Sequence, residues 1–104
     1  MMPDLATMVR DALRVVLDPE LGHNIVDLGF VYDITVLDGV ARITMTATTP
    51  GCPAAGFLKA GVASSAQQVP GIRSVEVDMT FDPPWTPSMI APDARASLGF
   101  AAVN

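Results

Sequence analysis

One cysteine is present in 104 residues, and it lies in the stretch "TATTPGCPAAGFLKAG", residues 46–61. Cys52 sits between Gly51 and Pro53, where a threonine-rich run passes into alanine and leucine. Pro53 suits the first position of a helix, which places Cys52 at or just before the N-cap. Unpaired N–H groups and the helix dipole favour an anion there. A thiol in that setting has a lowered pKa and serves as a nucleophile or a metal ligand. Gly51 keeps the approach clear, and Thr48 and Thr49 bring hydroxyls to the end of the preceding strand. A free cysteine also packs well as a small buried hydrophobe, and position alone leaves both readings open.

A second candidate is "LDPELG", residues 17–22, where Asp18 and Glu20 flank Pro19. The periodicity places these acids at the end of the first helix, whose C-terminus already carries partial negative charge. Two carboxylates there are locally unfavourable, and an arrangement kept at that cost suits a metal or a proton. The plainer reading is a Pro-Glu turn with solvated acids. His23 is the only histidine; it has no partner at ligand spacing and reads as a loop residue. Trp85, the only tryptophan, lies among prolines. It either docks a partner or, the reading its large apolar area favours, staples the tail to the core.

The elements that must position these groups follow from periodicity. Residues 5–17 carry an amphipathic stripe of Leu5, Met8, Val9, Ala12, Leu13, Val16 and Leu17, with Asp4 as N-cap and a stop near Asp18 enforced by Pro19. In "FVYDITVLDGVARITMTATT" the Asp38-Gly39 pair predicts a two-residue hairpin. It pairs Leu37 with Val40, Val36 with Ala41, Ile34 with Ile43 and Tyr32 with Met45. The Val36, Ile34 and Tyr32 pairs make one buried face. The opposite face pairs Thr35 with Arg42 and Asp33 with Thr44, with Asp33 diagonal to Arg42.

A second helix is expected over 53–68, with a core stripe of Leu58, Val62, Ala66 and Val69 helped by Ala55 and Phe57. Gly56 and Gly61 cost about 1 kcal/mol each relative to alanine and are expected to allow close packing. Pro70-Gly71 ends this helix. "IRSVEVDMTF" then alternates, with Val75, Val77, Met79 and Phe81 inward. In the tail, residues 82–104, "DPPWTPSMIAP" holds four prolines, and a short helix from about Pro92 to Leu98 is stopped by Gly99. The order α-β-β-α-β-α predicts a single domain over 1–104. Its class is α+β: a two-layer sandwich with a three-stranded mixed sheet and helices on one face. A right-handed crossover sets the third strand parallel to the second.

Totals narrow the function classes. The length fits one domain that buries roughly 60–70% of its unfolded surface. Half the residues are hydrophobic and 16% are charged, too apolar for a disordered chain. No apolar run approaches the roughly 20 residues that span a bilayer, and acids at Asp4 and Asp11 do not suit a signal peptide. A cytoplasmic location without membrane association is expected. Eleven acids against six bases leave a net charge of −5, and the bases are scattered, which disfavours nucleic acid as a partner. One cysteine forms no internal disulfide and cannot alone complete a four-ligand metal site.

The stretches "DPELGHNIVDLGFVYDITVLDG", "TMTATTPGCP", "VPGIRSVEV" and "FDPPWTPSMI…ARASLGF" together resemble the SufT/PaaD-like metal–sulfur cluster assembly factors. This small domain is shared with the eukaryotic cytosolic iron–sulfur targeting factor. The resemblance covers about residues 5–100. It implies a role in maturing iron–sulfur proteins without an established turnover of its own. The functional positions it implies are Asp18, Glu20, Thr48, Thr49 and Cys52, and His23 is not among them. The cargo it implies is transient iron or an iron–sulfur cluster, with no tightly bound cofactor. Its implied partners are the assembly machinery and client apoproteins. The PaaD branch carries a further cysteine-bearing C-terminal extension. The absence of such cysteines before Asn104 favours a stand-alone assembly factor over a partner of a multicomponent aromatic-ring oxygenase.

Three readings of function follow. In the first, Cys52 contacts iron or a cluster, and one thiol per chain requires a homodimer or a client's cysteines to complete the ligands. In the second, the chain is a small thiol-dependent enzyme with Cys52 as nucleophile and Glu20 or Asp18 as base; the lack of a nearby histidine and the effect of carboxylates on a thiol weigh against it. In the third, it is an interaction module working through Trp85 and the proline tail.

Overall fold

The computed structural model describes residues 4–19, 21–47 and 53–98. Asp4 starts helix α1, Leu5–Ala12, by accepting the Thr7 N–H at 2.8 Å on its side chain, the N-cap bond expected of an aspartate there. The α-helix is shorter than its apolar period suggests. A 3-10 turn over Leu13–Val15 follows, and Val16 is already extended at φ −87°, ψ 116°. Val9, Leu13 and Val16 are buried, but Leu17 is 53% exposed, because the stripe no longer applies once the helix has ended.

Strands β1, Val31–Leu37, and β2, Val40–Met45, form the expected antiparallel hairpin. Asp38 and Gly39 have φ of 52° and 78°, the two left-handed residues of a type I′ turn. The register agrees with the sequence as far as Asp33 with Thr44 and then shifts, so that Val31 and not Tyr32 faces Met45. This bulge corrects the expected Tyr32 pairing. One extra residue re-aims the side chain, and the Tyr32 hydroxyl donates to the Pro83 carbonyl at 2.8 Å. On the outer face Arg42 bonds Glu76 at 3.3 Å.

Helix α2, Pro53–Gln67, returns the chain to β3, Ser74–Met79, which pairs parallel to β2. The sheet order is β1-β2-β3, as the crossover predicts. Leu58, Val62, Ala66 and Val69 are all buried. Phe57 is 64% exposed and so is no part of the core. Gly61 does serve close packing: a Cβ there would stand 3.3 Å from Val16 Cγ1. Gly56 does not, for a Cβ there meets nothing within 4 Å.

A 3-10 turn over Pro87–Met89 and helix α3, Pro92–Leu98, complete the described chain. Leu13, Ile25, Leu28, Phe30, Ile43, Met45, Leu58 and Val62 form the fully buried centre, each worth about 1.5–3 kcal/mol of burial. Asp33, Thr35, Arg42, Glu76 and Asp78 lie exposed on the opposite side of the sheet. The molecule is an α+β sandwich with one sheet face left to solvent.

Candidate functional site

Asp18 opens a narrow loop rather than capping a helix end. Leu17 and Asn24 form an antiparallel bridge, and the Asp18 N–H donates to the His23 carbonyl at 3.0 Å. The Ile25 N–H closes the base of the loop on the Val16 carbonyl, also at 3.0 Å. Asp18 itself is 3% exposed. Its Oδ2 accepts the Leu21 N–H at 2.8 Å and its carbonyl accepts the Gly22 N–H at 2.7 Å. A carboxylate taken from water needs such partners. Asp18 therefore sits in a turn, as the plainer reading expects, but as a buried acceptor and not a solvated acid, and the helix whose dipole was expected to oppose it has already ended at Val15. Glu20 lies outside the described residues.

The far side of the loop is held by a group that the sequence reading passed over. Asn24 Oδ1 accepts the Asp27 N–H at 2.9 Å, and Asn24 Nδ2 donates to Asp27 Oδ2 at 3.1 Å. Arg14, at the end of the first helical segment, bonds the same carboxylate through Nη1, and His23 Nε2 stands 3.7 Å from Asp27 Oδ2. The Asn24 hydrogen bond does most to hold the Asp27 carboxyl below its usual pKa; burial, the next largest effect, opposes it, and the Arg14 guanidinium and then the His23 ring lower it further. The Asn-x-x-Asp spacing of "NIVD" was the available signal, since an asparagine side chain caps the N–H of the residue three on. His23 thus belongs to a loop clamp. Trp85 is a staple: its Nε1 donates to the Leu28 carbonyl at 2.7 Å, and its ring meets Phe30 edge-on at 5.3 Å.

Thr48, Thr49 and Cys52 lie outside the described residues. The segments on either side are fixed. Thr46 is fully buried, with its N–H on the Phe30 carbonyl at 2.8 Å, and α2 begins at Pro53. The Phe30 N–H in turn donates to the Ile25 carbonyl at 3.0 Å. Main-chain hydrogen bonds therefore run from Val16 through Ile25 and Phe30 to Thr46. They link the base of the Asp18 loop to the strand end that leads into Thr48. Among the described residues no group of three or more histidine, cysteine or acidic side chains could hold a metal ion, and no helix is long and apolar enough to cross a membrane.

Several known proteins are similar to this chain in sequence and in fold. A curated relative in Porphyromonas gingivalis, named Fe-S protein maturation auxiliary factor, is 43% identical over 89 residues, covering 85% of each chain. The Staphylococcus aureus Fe-S protein maturation auxiliary factor SufT is 41% identical over 86 residues, which is 82% of this chain and 98% of that protein. A crystal structure of a domain of unknown function from Bacillus anthracis superposes with a TM-score of 0.87 at 38% identity, over 91% of this chain and 92% of the other. The family described as "Iron-sulfur cluster assembly protein" matches residues 6–79, and the chain belongs to that family.

Proposed function

We propose that the chain is an accessory factor in the maturation of iron–sulfur proteins, and that Cys52 is its working group. The Cys52 thiolate, at the start of α2, contacts iron or a cluster as passing cargo. Asp18, Glu20, Thr48 and Thr49 supply oxygen atoms to the same visitor. Thiolate is the ligand type that iron–sulfur chemistry selects, and carboxylate oxygens are weaker, exchangeable ligands suited to release. With one thiol per chain, the remaining sulfur ligands come from a second copy or from the cysteines of the client apoprotein.

The observation that carries this reading is the hydrogen-bonded relay from Val16 to Thr46. It holds the segments before Asp18 and before Thr48 in a fixed relation, which two parts of one site require. The maturation factors among the relatives support the same role. No observation favours turnover, and the only histidine stands beside Asp27 in the loop clamp.

The test is made in cells that depend on this chain for iron–sulfur enzyme activity. Cys52→Ser is expected to leave the protein folded at normal abundance and to abolish its support of those enzymes. Full enzyme activity with the serine variant as sole copy would defeat the proposal.

A further inference from the structure

Strand β3 ends the sheet, and among the described residues nothing pairs with its outer edge. The Ser74 N–H donates to the Gly39 carbonyl at 3.3 Å, and the Thr80 N–H to the Met45 carbonyl at 2.8 Å. Even-numbered residues therefore turn their main-chain groups toward β2. The alternation of a strand then turns those of Val75, Val77 and Met79 to the open edge. Beside that edge, between α2 and β3, lies a hollow of about 350 Å³ lined by Gly56, Lys59, Ala60, Ala63, Val75 and Val77. Small residues on α2 leave the half-buried Val75 and Val77 uncovered from this side.

We propose that the β3 edge receives an extended segment of a partner protein in which apolar and basic residues alternate. Its main chain would pair with Val75, Val77 and Met79. Its apolar side chains would enter the hollow, and its basic ones would lie on the outer face against Glu76 and Asp78. Both acids are exposed; Glu76 also bonds Arg42 at 3.3 Å, so Asp78 is the stronger attractor, and the chain's net charge of −5 draws a cationic segment from a distance.

Charge also decides against a second copy as occupant. Directly opposed residues of an antiparallel pair share a face, so the self-pairings that use most of Ser74–Met79 match Val75 with Val77, or Val77 with itself. The first register sets Glu76 against Glu76, and the second sets Glu76 against Asp78 twice. Like charges directly opposed destabilise a pair, and acids on an edge strand are a common guard against self-association. This inference does not depend on the role given to Cys52.

The probe is a blocked heptapeptide of alternating lysine and valine, titrated into the full isotope-labelled chain at low salt, with the glutamate–valine heptapeptide as control. Amide resonances of Val75, Val77 and Met79 should shift saturably and exchange with solvent more slowly, and the glutamate peptide should not bind. Asp78→Lys and Glu76→Lys, both exposed, should keep the fold and together weaken the lysine peptide by at least about fivefold. Val77→Pro, which removes an edge N–H at a position where edge strands tolerate proline, should also weaken it. Four results would overturn the proposal: no shifts, shifts confined to other acidic surface, equal binding of both peptides, or indifference to charge reversal. Slowed exchange along β3 in the free chain that grows with protein concentration would assign the edge to a second copy instead.

Discussion

Asp18 has a structural task that can be separated from a chemical one by two substitutions. Asp18→Ala removes the oxygen that accepts the Leu21 N–H at 2.8 Å in a side chain that is almost wholly buried. A hydrogen bond to a charged group is worth about 1.5–3 kcal/mol, and the Leu21 N–H would be left to find water. At about 4–8 °C per kcal/mol for a domain of this size, the thermal midpoint should fall by roughly 6–24 °C. Asp18→Asn keeps an oxygen of the same reach and should cost less than about 1 kcal/mol. Urea denaturation of the three proteins at neutral pH gives both differences, with the slope of the transition checking that the unfolded states match. A large loss for alanine with a small one for asparagine fits the turn described here. Equal losses would mean that the charge and not the turn bond holds the loop, and no loss in either would refute the assignment. The asparagine variant then becomes informative in cells: folded but inactive, it would show that the carboxylate itself is used.

Other expectations follow from the same geometry. Trp85→Phe keeps a ring against Phe30 but loses the bond to the Leu28 carbonyl, and should cost about 1–2 kcal/mol; Trp85→Ala should cost more, read from the same urea curves. Because the folded Asp27 pKa is depressed, its stabilisation is complete above the unfolded value near 4. It should be lost as pH falls through the lower folded value, and Asp27→Asn should flatten that acid limb of a stability–pH curve. Gly29 has φ 79°, and a Cβ there would overlap the Met89 carbonyl, so Gly29→Ala should destabilise by about 2 kcal/mol or more. Gly56→Ala, with open space around it, should instead raise the thermal midpoint by gaining up to about 1 kcal/mol of helix propensity.

Local signals carried most of the fold. The Asp4 cap, the Asp38-Gly39 turn and the Leu58–Val62–Ala66 stripe each depend on neighbours within one turn of chain, and each stands in the structure as the sequence implies. What the sequence hid depends on distant partners. The apolar period runs on through Leu17, but Ile25 claims the Val16 carbonyl and the chain is extended by then. The bulge at Tyr32 answers to Pro83, fifty-one residues away. Phe57 has the spacing of a core residue, yet nothing in a helical period states where the neighbouring elements end. At the site, residue types drew attention to Asp18, while its actual setting, a turn that takes its side chain as acceptor, came only with the structure. Asp27 is legible from Asn24 three residues earlier, since an asparagine side chain reaches the N–H of the residue three on.

The central claim is that Cys52 is the thiol through which this chain meets its cargo. Anaerobic reconstitution with ferric iron, sulfide and excess thiol as reductant, followed by visible absorption, measures it most directly when wild type and Cys52→Ser are treated side by side and mixed with an apo-ferredoxin. The account predicts a visible chromophore in the wild type that the ferredoxin takes over, and none with serine. Identical spectra and identical transfer from the two proteins would contradict it.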